Sequence, residues 1–147
     1  MDKSEMLMFP VALPVNMQTT NATPSEPFLG IRLDLDVSAY VGDGTNRWPA
    51  VHRLDAAKLY RVALESAPAG TRLHAIGDEG VALRDIVALI GRLLNVPVVS
   101  KSPKEADDHF SWLMHFVMMD NPASSALTQE RFEWRPGQAT LLSDIDR

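Results

Sequence analysis

The stretch that decides the fold is YVGDGTNRWPAVHRLDAAKLYRVALE, residues 40–65. Gly42 and Gly44 supply a turn, because glycine adopts positive backbone dihedral angles at little cost. The short aromatic and β-branched segment 48–52 predicts a strand. Asp55 is expected to cap the next helix, since a carboxylate accepts hydrogen bonds from the free amides of a first helical turn. The segment therefore predicts a turn, a strand and a helix in that order.

The helix after this strand has a two-sided pattern. Lys58, Arg61 and Glu65 lie on its polar side, and the opposite side is apolar enough to face a core. Tyr60 belongs to that apolar side and is interpreted as a core residue rather than a catalytic one. The apolar side consists of Ala56, Leu59, Tyr60, Ala63 and Leu64.

The rest of the chain alternates between strand and helix patterns. TRLHAI predicts a strand closed by a GDEG turn, and a strongly periodic helix and a brief strand follow. The next helix has Ser102 as its cap and Pro103 at its first position, and further helices follow before LLSDIDR closes the chain. The predicted ranges are 71–76, 77–80, 83–95 and 96–100. This order predicts an α/β fold with strands too few and too short for a full doubly wound sheet.

Composition narrows the possible functions. The chain has 147 residues, 46% of them hydrophobic, which suits one domain with a modest core. Its net charge of -5 lacks the clustered Lys and Arg that nucleic acids or an anionic membrane require. Without cysteine it has no disulfide and no thiolate metal site, which fits the cytoplasm. The apolar segment 6–15 contains two prolines and is too short to cross a membrane.

The motifs of dinucleotide and metal chemistry are incomplete. Gly42 and Gly44 begin a glycine fingerprint whose third position is Arg47, and Gly77 and Gly80 are likewise interpreted as an ordinary turn. Neither tyrosine has a lysine four residues later to lower its pKa. The four histidines are scattered, so we predict no metal site; they are His52, His74, His109 and His115.

One group of residues could line a ligand pocket. Asn46, Arg47, Trp48 and His52 offer hydrogen-bond donors and an aromatic wall beside a strand-to-helix turn. A structural interpretation also accounts for them, with Trp48 in the core and His52 bonded to the backbone, and physical reasoning alone favours it. Both interpretations stay open.

The residues also carry a resemblance. Val51-His52-Arg53-Leu54-Asp55-Ala56-Ala57 resembles the Val-His-Val-x-Asp-x-Ala stretch of extended or atypical short-chain dehydrogenase/reductases, the NAD-dependent epimerase/dehydratase-like group. Phe132-Glu133-Trp134-Arg135-Pro136 is similar to that family's Leu-Gly-Trp-x-Pro ending, with departures at Phe132 and Glu133. The likeness covers roughly residues 38–146.

The resemblance implies that this chain corresponds to only the C-terminal part of a family member. In that family the glycine fingerprint and the Tyr-x-x-x-Lys pair belong to an N-terminal Rossmann half, which residues 1–37 do not resemble. We therefore expect a loosely ordered arm at 1–37 and a C-terminal, substrate-side lobe at 38–147. NAD(P) is implied for the full-length family, with no catalytic or cofactor residue in this chain.

The same likeness sets expectations about the site and partners. Asn46, Arg47, Trp48 and His52 would face the substrate cleft. A truncated oxidoreductase or epimerase of this kind is expected to need a Rossmann partner or to form a homo-oligomer. The alternative is a noncatalytic interaction module that uses the apolar segment 110–119.

Overall fold

The computed structural model describes residues 37–110 and 113–147. Four short strands alternate with helices, which confirms the predicted α/β class. The predicted N-terminal arm at 1–37 lies outside the described residues except for Val37. The strands are β1 (Ser38–Val41), β2 (Arg47–Ala50), β3 (Asp78–Ala82) and β4 (Val98–Lys101). The helices are α1 (Arg53–Ser66), α2 (Leu83–Leu94), α3 (Pro103–Phe110), α4 (Met114–Val117), α5 (Ala126–Phe132) and α6 (Leu141–Ile145).

Two strand pairs organise these elements. β1 and β4 run parallel, with Ser38 opposite Val98 and Val41 opposite Lys101. β2 and β3 form an antiparallel pair that lies between β1 and β4 in the chain. Their register shifts between Trp48 and Ala50, where proline cannot donate a ladder hydrogen bond. The parallel pair therefore ends in two loops at one edge, as in larger α/β sheets.

The core lies where α2 and α3 cover the parallel strands. Its buried residues come from β1, α2, α3 and α4, and partly buried aromatic and methionine side chains pack around them. The buried set is Val41, Leu83, Val87, Ala106 and Val117. The Ser38 hydroxyl donates to the Val87 carbonyl at 2.8 Å, which ties β1 to α2. Gly91 lets α2 approach closely, because a side chain there would meet Val98 and Ser38.

Two predicted helices are confirmed, and for α3 the predicted Ser102 cap is confirmed as well. α2 ends at Asn95, which adopts the left-handed conformation (φ 56°) that stops a helix. α3 starts with a capping box, since Ser102 Oγ accepts from the Glu105 amide at 3.4 Å and the Glu105 carboxylate accepts from the Ser102 amide at 2.9 Å. The predicted strand at 96–100 is confirmed as β4, shifted by one or two residues.

The prediction for the start of α1 is wrong. His52, not Asp55, is the N-cap, and its Nδ1 accepts from the Leu54 amide at 3.2 Å. Asp55 is turned inward, with 1% of its surface exposed. Its carboxylate accepts from the amides of Gly137 and Gln138, at 2.9 and 2.8 Å.

Asp55 joins α1 to the loop after α5. Its backbone carbonyl accepts from Trp134 Nε1 at 2.9 Å, and Lys58 Nζ lies 3.3 Å from its carboxylate. Burial opposes ionisation of the carboxyl, but the amide hydrogen bonds from Gln138 and Gly137 and the charge of Lys58 outweigh burial and lower the pKa of Asp55. The helix is thus held to the C-terminal loop by an ionised, buried side chain.

The predicted apolar face of α1 is also wrong in part. Leu59 is buried, but Tyr60 is 72% and Leu64 88% exposed. The helix docks through Asp55 and Leu59, and the predicted polar residues Lys58, Arg61 and Glu65 are exposed, so the buried side is narrower than the predicted apolar face.

The predicted strand at 71–76 and the turn at 77–80 are both wrong. The strand β3 lies at Asp78–Ala82, and 71–76 is irregular. Side chains of the α5 region satisfy the backbone of 71–76 instead: Thr128 accepts from the His74 amide at 2.9 Å, and Ser125 donates to the Ile76 carbonyl at 2.6 Å.

In the apolar segment 110–119, of which residues 110 and 113–119 are described, four residues belong to the core or pack against it. Phe110, Leu113 and Met114 pack against the core, and Val117 is buried. Met118 and Met119 are 46% and 38% exposed. The described part of the segment therefore contributes to the core and ends in two exposed methionines.

Candidate functional site

A cleft opens at the carboxyl ends of the parallel strands. It has a volume of about 320 Å³ and lies where β1 runs into the loop 42–46 and β4 runs into α3. In open α/β sheets this edge is the usual position for ligands. The cleft is lined by Val41, Gly42, Asp43, Thr45, Asn46, Pro103, Met118 and Asp120. We regard it as the candidate functional site.

A second groove lies between α2 and α6. It is larger, about 710 Å³, and is bordered by apolar residues such as Leu89 and Leu142 and by the Arg92–Asp146 ion pair, whose Nη2–Oδ1 distance is 2.6 Å. None of its lining residues belongs to β1, to β4 or to the loops that follow these two strands. We therefore favour the smaller cleft on topological grounds.

The loop 42–46 forms one wall of the cleft. Gly42 and Gly44 have φ values of 61° and 63°, which confirms the predicted glycine turn. Between them, Asp43 Oδ1 accepts from the Thr45 amide at 3.0 Å and from its hydroxyl at 2.8 Å. The amide and hydroxyl of Thr45, with the nearby Arg84, lower the pKa of Asp43, so its carboxyl is ionised at neutral pH.

Asn46 and Arg47 hold the opposite wall in place. Asn46 Nδ2 donates to the carbonyls of Val117 and Met119, at 2.8 and 3.2 Å. The Arg47 carbonyl accepts from the Asn121 amide at 2.8 Å. Two consecutive residues at the start of β2 thus bind the segment 117–121, which carries Met118 and Asp120 to the cleft.

The Arg47 side chain pairs with Asp120. Nε donates to Asp120 Oδ1 at 3.1 Å and Nη2 to Oδ2 at 2.9 Å, while the Arg47 amide donates to Oδ1 at 2.8 Å. The side-chain hydrogen bond from Arg47 is the main cause that lowers the pKa of Asp120, and Asp120 in turn raises the pKa of Arg47. This two-point geometry fixes the carboxylate against the guanidinium.

The four residues predicted to face a substrate lie in three places. Asn46 lines the cleft and Arg47 braces its wall. Trp48 continues along β2, where it is opposite Val81 and packs against the core. His52 caps α1, and its Nε2 lies 3.8 Å from Asp144 on α6.

Sequence reasoning missed most of the cleft. Asp43 carried a local signal, since an aspartate between two glycines and ahead of a threonine is typical of a side-chain-bonded turn. Met118 and Asp120 carried none, because Asp120 is 73 residues from Arg47 in sequence. Their position depends on the path of the chain after α4, which brings residues 118–121 beside Asn46 and Arg47.

The described residues do not fit a dinucleotide cradle. The loop after β1 leads into β2 rather than into a helix N-terminus, where a pyrophosphate would be bound. At Gly44, the space that a close backbone approach needs is filled by Tyr40 and Arg84, each 2.7 Å from the position of an added Cβ. Gly80 lies inside β3. No step that uses a nicotinamide can therefore be assigned to these residues.

Two further structural findings limit the possible sites. Within residues 37–110 and 113–147, no group of three or more His, Asp or Glu side chains is placed to hold a metal ion. Helices in the same described part are all too short and too polar to cross a membrane.

Comparison with solved structures defines the class of fold. The chain is similar to DesIV, a dTDP-glucose 4,6-dehydratase from Streptomyces venezuelae with NAD and TYD bound, with a TM-score of 0.56 and 18% identity over 79% of this chain and 34% of that one. It is also similar to RMD from Pseudomonas aeruginosa complexed with NADPH, with a TM-score of 0.50 and 14% identity over 74% of this chain and 33% of that one. The α/β fold therefore resembles part of a Rossmann-like fold, and the two solved neighbours contain bound NADPH and NAD.

Sequence comparison identifies one family and two yeast relatives. The family model described as AraC-type transcriptional regulator N-terminus matches residues 1–101, and the chain belongs to that family. It is 50% identical over 109 residues to uncharacterized protein C2A9.02 of Schizosaccharomyces pombe and 47% identical over 108 residues to uncharacterized protein YLL056C of Saccharomyces cerevisiae. Each match covers 74% of this chain, which spans only 37% and 36% of the two yeast proteins.

Proposed function

We propose that the chain forms the substrate-side part of an NAD(P)-dependent oxidoreductase or epimerase of the short-chain dehydrogenase/reductase family. The observation that carries this proposal is the cleft at the carboxyl ends of β1 and β4, in a fold similar to that of the dehydratase with bound NAD. Asn46 and the segment around Met118 line the substrate side, and Arg47 braces it.

In this proposal the dinucleotide is held outside the described residues. The Gly42/Gly44 turn leads into β2 rather than into a helix N-terminus and is filled by Tyr40 and Arg84, and Gly80 lies inside β3, so neither glycine pair offers a pyrophosphate site. The chain therefore contributes shape and hydrogen bonds to a substrate, and it does not turn over substrate alone. This chain spans about a third of each yeast relative. In this proposal, the dinucleotide-binding part corresponds to the remainder of such a protein.

Calorimetric titration with NAD⁺, NADP⁺ and their reduced forms tests this proposal. We expect no dissociation constant tighter than about 1 mM, because phosphate contacts at a helix N-terminus supply much of dinucleotide affinity. Titration of a complete NAD(P)-binding dehydratase under the same conditions serves as the positive control. Micromolar binding by this chain would contradict the proposal.

The alternative is a noncatalytic interaction or oligomerisation module. Two observations favour it: the match to a family described as part of a transcriptional regulator, and an exposed apolar stripe on α1. In the stripe, Leu54, Tyr60 and Leu64 are 51%, 72% and 88% exposed. This stripe, rather than segment 110–119, is the surface on which such a module would dock a partner or a second copy.

A matched pair of leucine substitutions tests the alternative. Leu64→Asp is expected to abolish self-association, because it places a charge in the stripe, whereas Leu127→Asp is expected to leave it unchanged. Leu127 is a fair control, since it is also on a helix and 77% exposed. Light scattering coupled to size-exclusion chromatography gives the mass. If the wild type is monomeric at every concentration, or if both variants behave alike, the stripe is not an interface between copies.

A further inference from the structure

The side-chain donor groups that line the cleft are already committed to the protein. Thr45 gives its single hydroxyl hydrogen to Asp43 at 2.8 Å. Asn46 gives both amide hydrogens to the carbonyls of Val117 and Met119, and those two acceptors also fix the orientation of its amide group. What Asn46 and Thr45 still offer to a ligand are oxygen lone pairs.

The two carboxylates of the cleft are acceptors as well. Asp43 and Asp120 both have lowered pKa values, through Thr45 and Arg47 respectively, and are ionised at neutral pH. Arg47, the nearest cation on the Asp120 side, directs Nε and Nη2 into that carboxylate rather than into the cleft. On the Asp43 side, Arg84 has its Nε 3.7 Å from Asp85.

The remaining lining of the cleft is apolar. Val41, Pro103 and Met118 have no side-chain hydrogen-bond donor, and proline also lacks an amide hydrogen. Among the described residues, the side chains that line the cleft therefore combine an apolar wall with a polar wall that only accepts. A ligand that is itself only an acceptor, such as a carboxylate or phosphate, would meet like charges there.

We infer that this cleft selects a neutral or cationic small molecule that donates hydrogen bonds from hydroxyl or ammonium groups on one edge and presents an apolar face to Met118, and that it excludes anions. The inference rests on the proposed role of the cleft as the substrate side. It narrows the substrate to molecules whose reacting end carries donors, and it assigns charged phosphate or carboxylate groups to positions outside the cleft.

Three small molecules of matched size test the inference on the full chain. We would titrate ¹⁵N-labelled protein with 2-amino-1,3-propanediol, which is cationic, with glycerol, which is neutral, and with malonate, which is dianionic. The amides of Gly42 to Asn46 are expected to shift most with the aminodiol, at an affinity about tenfold above that for malonate, because hydrogen bonds to ionised groups are the stronger ones. Glycerol is expected to bind between the two.

A pair of aspartate substitutions locates the effect. Asp43→Asn is expected to weaken aminodiol binding about fivefold and to leave glycerol binding nearly unchanged, since it removes a charge that only the ammonium meets. Asp107→Asn on α3 is the control, because Asp107 is exposed and does not line the cleft.

The outcomes separate this inference from the proposed function. Malonate binding at these amides as strong as that of the aminodiol, absence of shifts with all three molecules, or equal losses in the two variants would each overturn the inference. Tight dinucleotide binding would overturn the proposed function and leave the ligand preference of the cleft as measured.

Discussion

Replacement of Asp55 by asparagine is expected to lower the free energy of unfolding by about 3 kcal/mol. Asp55 is 1% exposed, and its carboxylate accepts from two backbone amides of the loop at Gly137 and Gln138. Both amides donate to Oδ2, so asparagine can accept from them only through a neutral carbonyl oxygen, and its NH₂ group then takes the place of Oδ1 beside the Lys58 ammonium. The substitution therefore removes the charge that strengthens the two amide hydrogen bonds, and it leaves Lys58 facing a donor. Equilibrium urea unfolding followed by circular dichroism measures the change.

The control for Asp55 is Asp144→Asn. Asp144 is 45% exposed and 3.8 Å from His52, so we expect a change of less than about 0.5 kcal/mol. Equal effects of the two substitutions would show that the loop at 134–138 is not held by Asp55.

The stability contributed by Asp55 also depends on pH. Because its folded-state pKa is lowered, the unfolded chain binds the proton more readily, and the contribution is present above the unfolded-state pKa of about 3.9 and is lost as pH falls through the folded value. The wild type is therefore expected to lose more stability than Asp55→Asn on acidification below about pH 4. Parallel loss in both proteins would contradict this assignment.

Gly44→Ala is expected to cost about 3 kcal/mol, and Gly42→Ala only about 1 kcal/mol. Both glycines have positive φ values, so alanine is strained at each. The two positions differ in the room available for a side chain. A Cβ at Gly44 would lie 2.7 Å from Arg84 Cβ and from the Tyr40 ring, whereas no atom lies within 4 Å of a Cβ at Gly42. Only the crowded position should force β1 and the start of α2 apart.

The comparison between the two glycines is made by the same urea unfolding experiment. The difference between the variants measures crowding alone, because the backbone strain is nearly the same in both. Similar costs at the two positions would mean that the loop 42–46 does not pack against Tyr40 and Arg84 as described.

Local signals predicted the elements that are stabilised locally. α2 has a strong apolar period and ends at a left-handed asparagine, and α3 begins with a capping box formed by residues three apart. Both patterns act within one or two helical turns, so they can be recognised without knowledge of the tertiary fold. The α/β class followed from the order of these elements.

The errors arose where distant residues decide local structure. α1 docks through the buried Asp55, whose partners are about eighty residues away, so its apolar pattern assigned Tyr60 and Leu64 to the wrong side. The segment 71–76 alternates like a strand, but Thr128 and Ser125 satisfy its backbone, and the less strand-like DEGVA pairs with β2 instead. Tertiary contacts outweigh strand propensity here.

Only the wall of the cleft formed by the loop 42–46 and the residues directly after it could be predicted from the sequence. Asn46 and Arg47 follow the glycine turn directly, so their place beside a cleft could be expected. Their contacts with Val117 and Asp120 could not, since these depend on the return of the chain across the start of β2. Those contacts show that Arg47 is committed to a partner within the protein.

The central claim is that β1 and β4 run parallel and end together at the cleft. The chain has no cysteine, so an engineered pair tests this directly. In Ala39→Cys/Val99→Cys the residues are register partners, at the separation that a disulfide requires. In Ser38→Cys/Lys101→Cys they are three positions out of register, about 10 Å apart. After refolding with oxidised glutathione, with free thiols counted by labelling, we expect the first pair to cross-link and the second to stay reduced. Cross-linking of the second pair without the first would contradict the parallel arrangement and the cleft built on it.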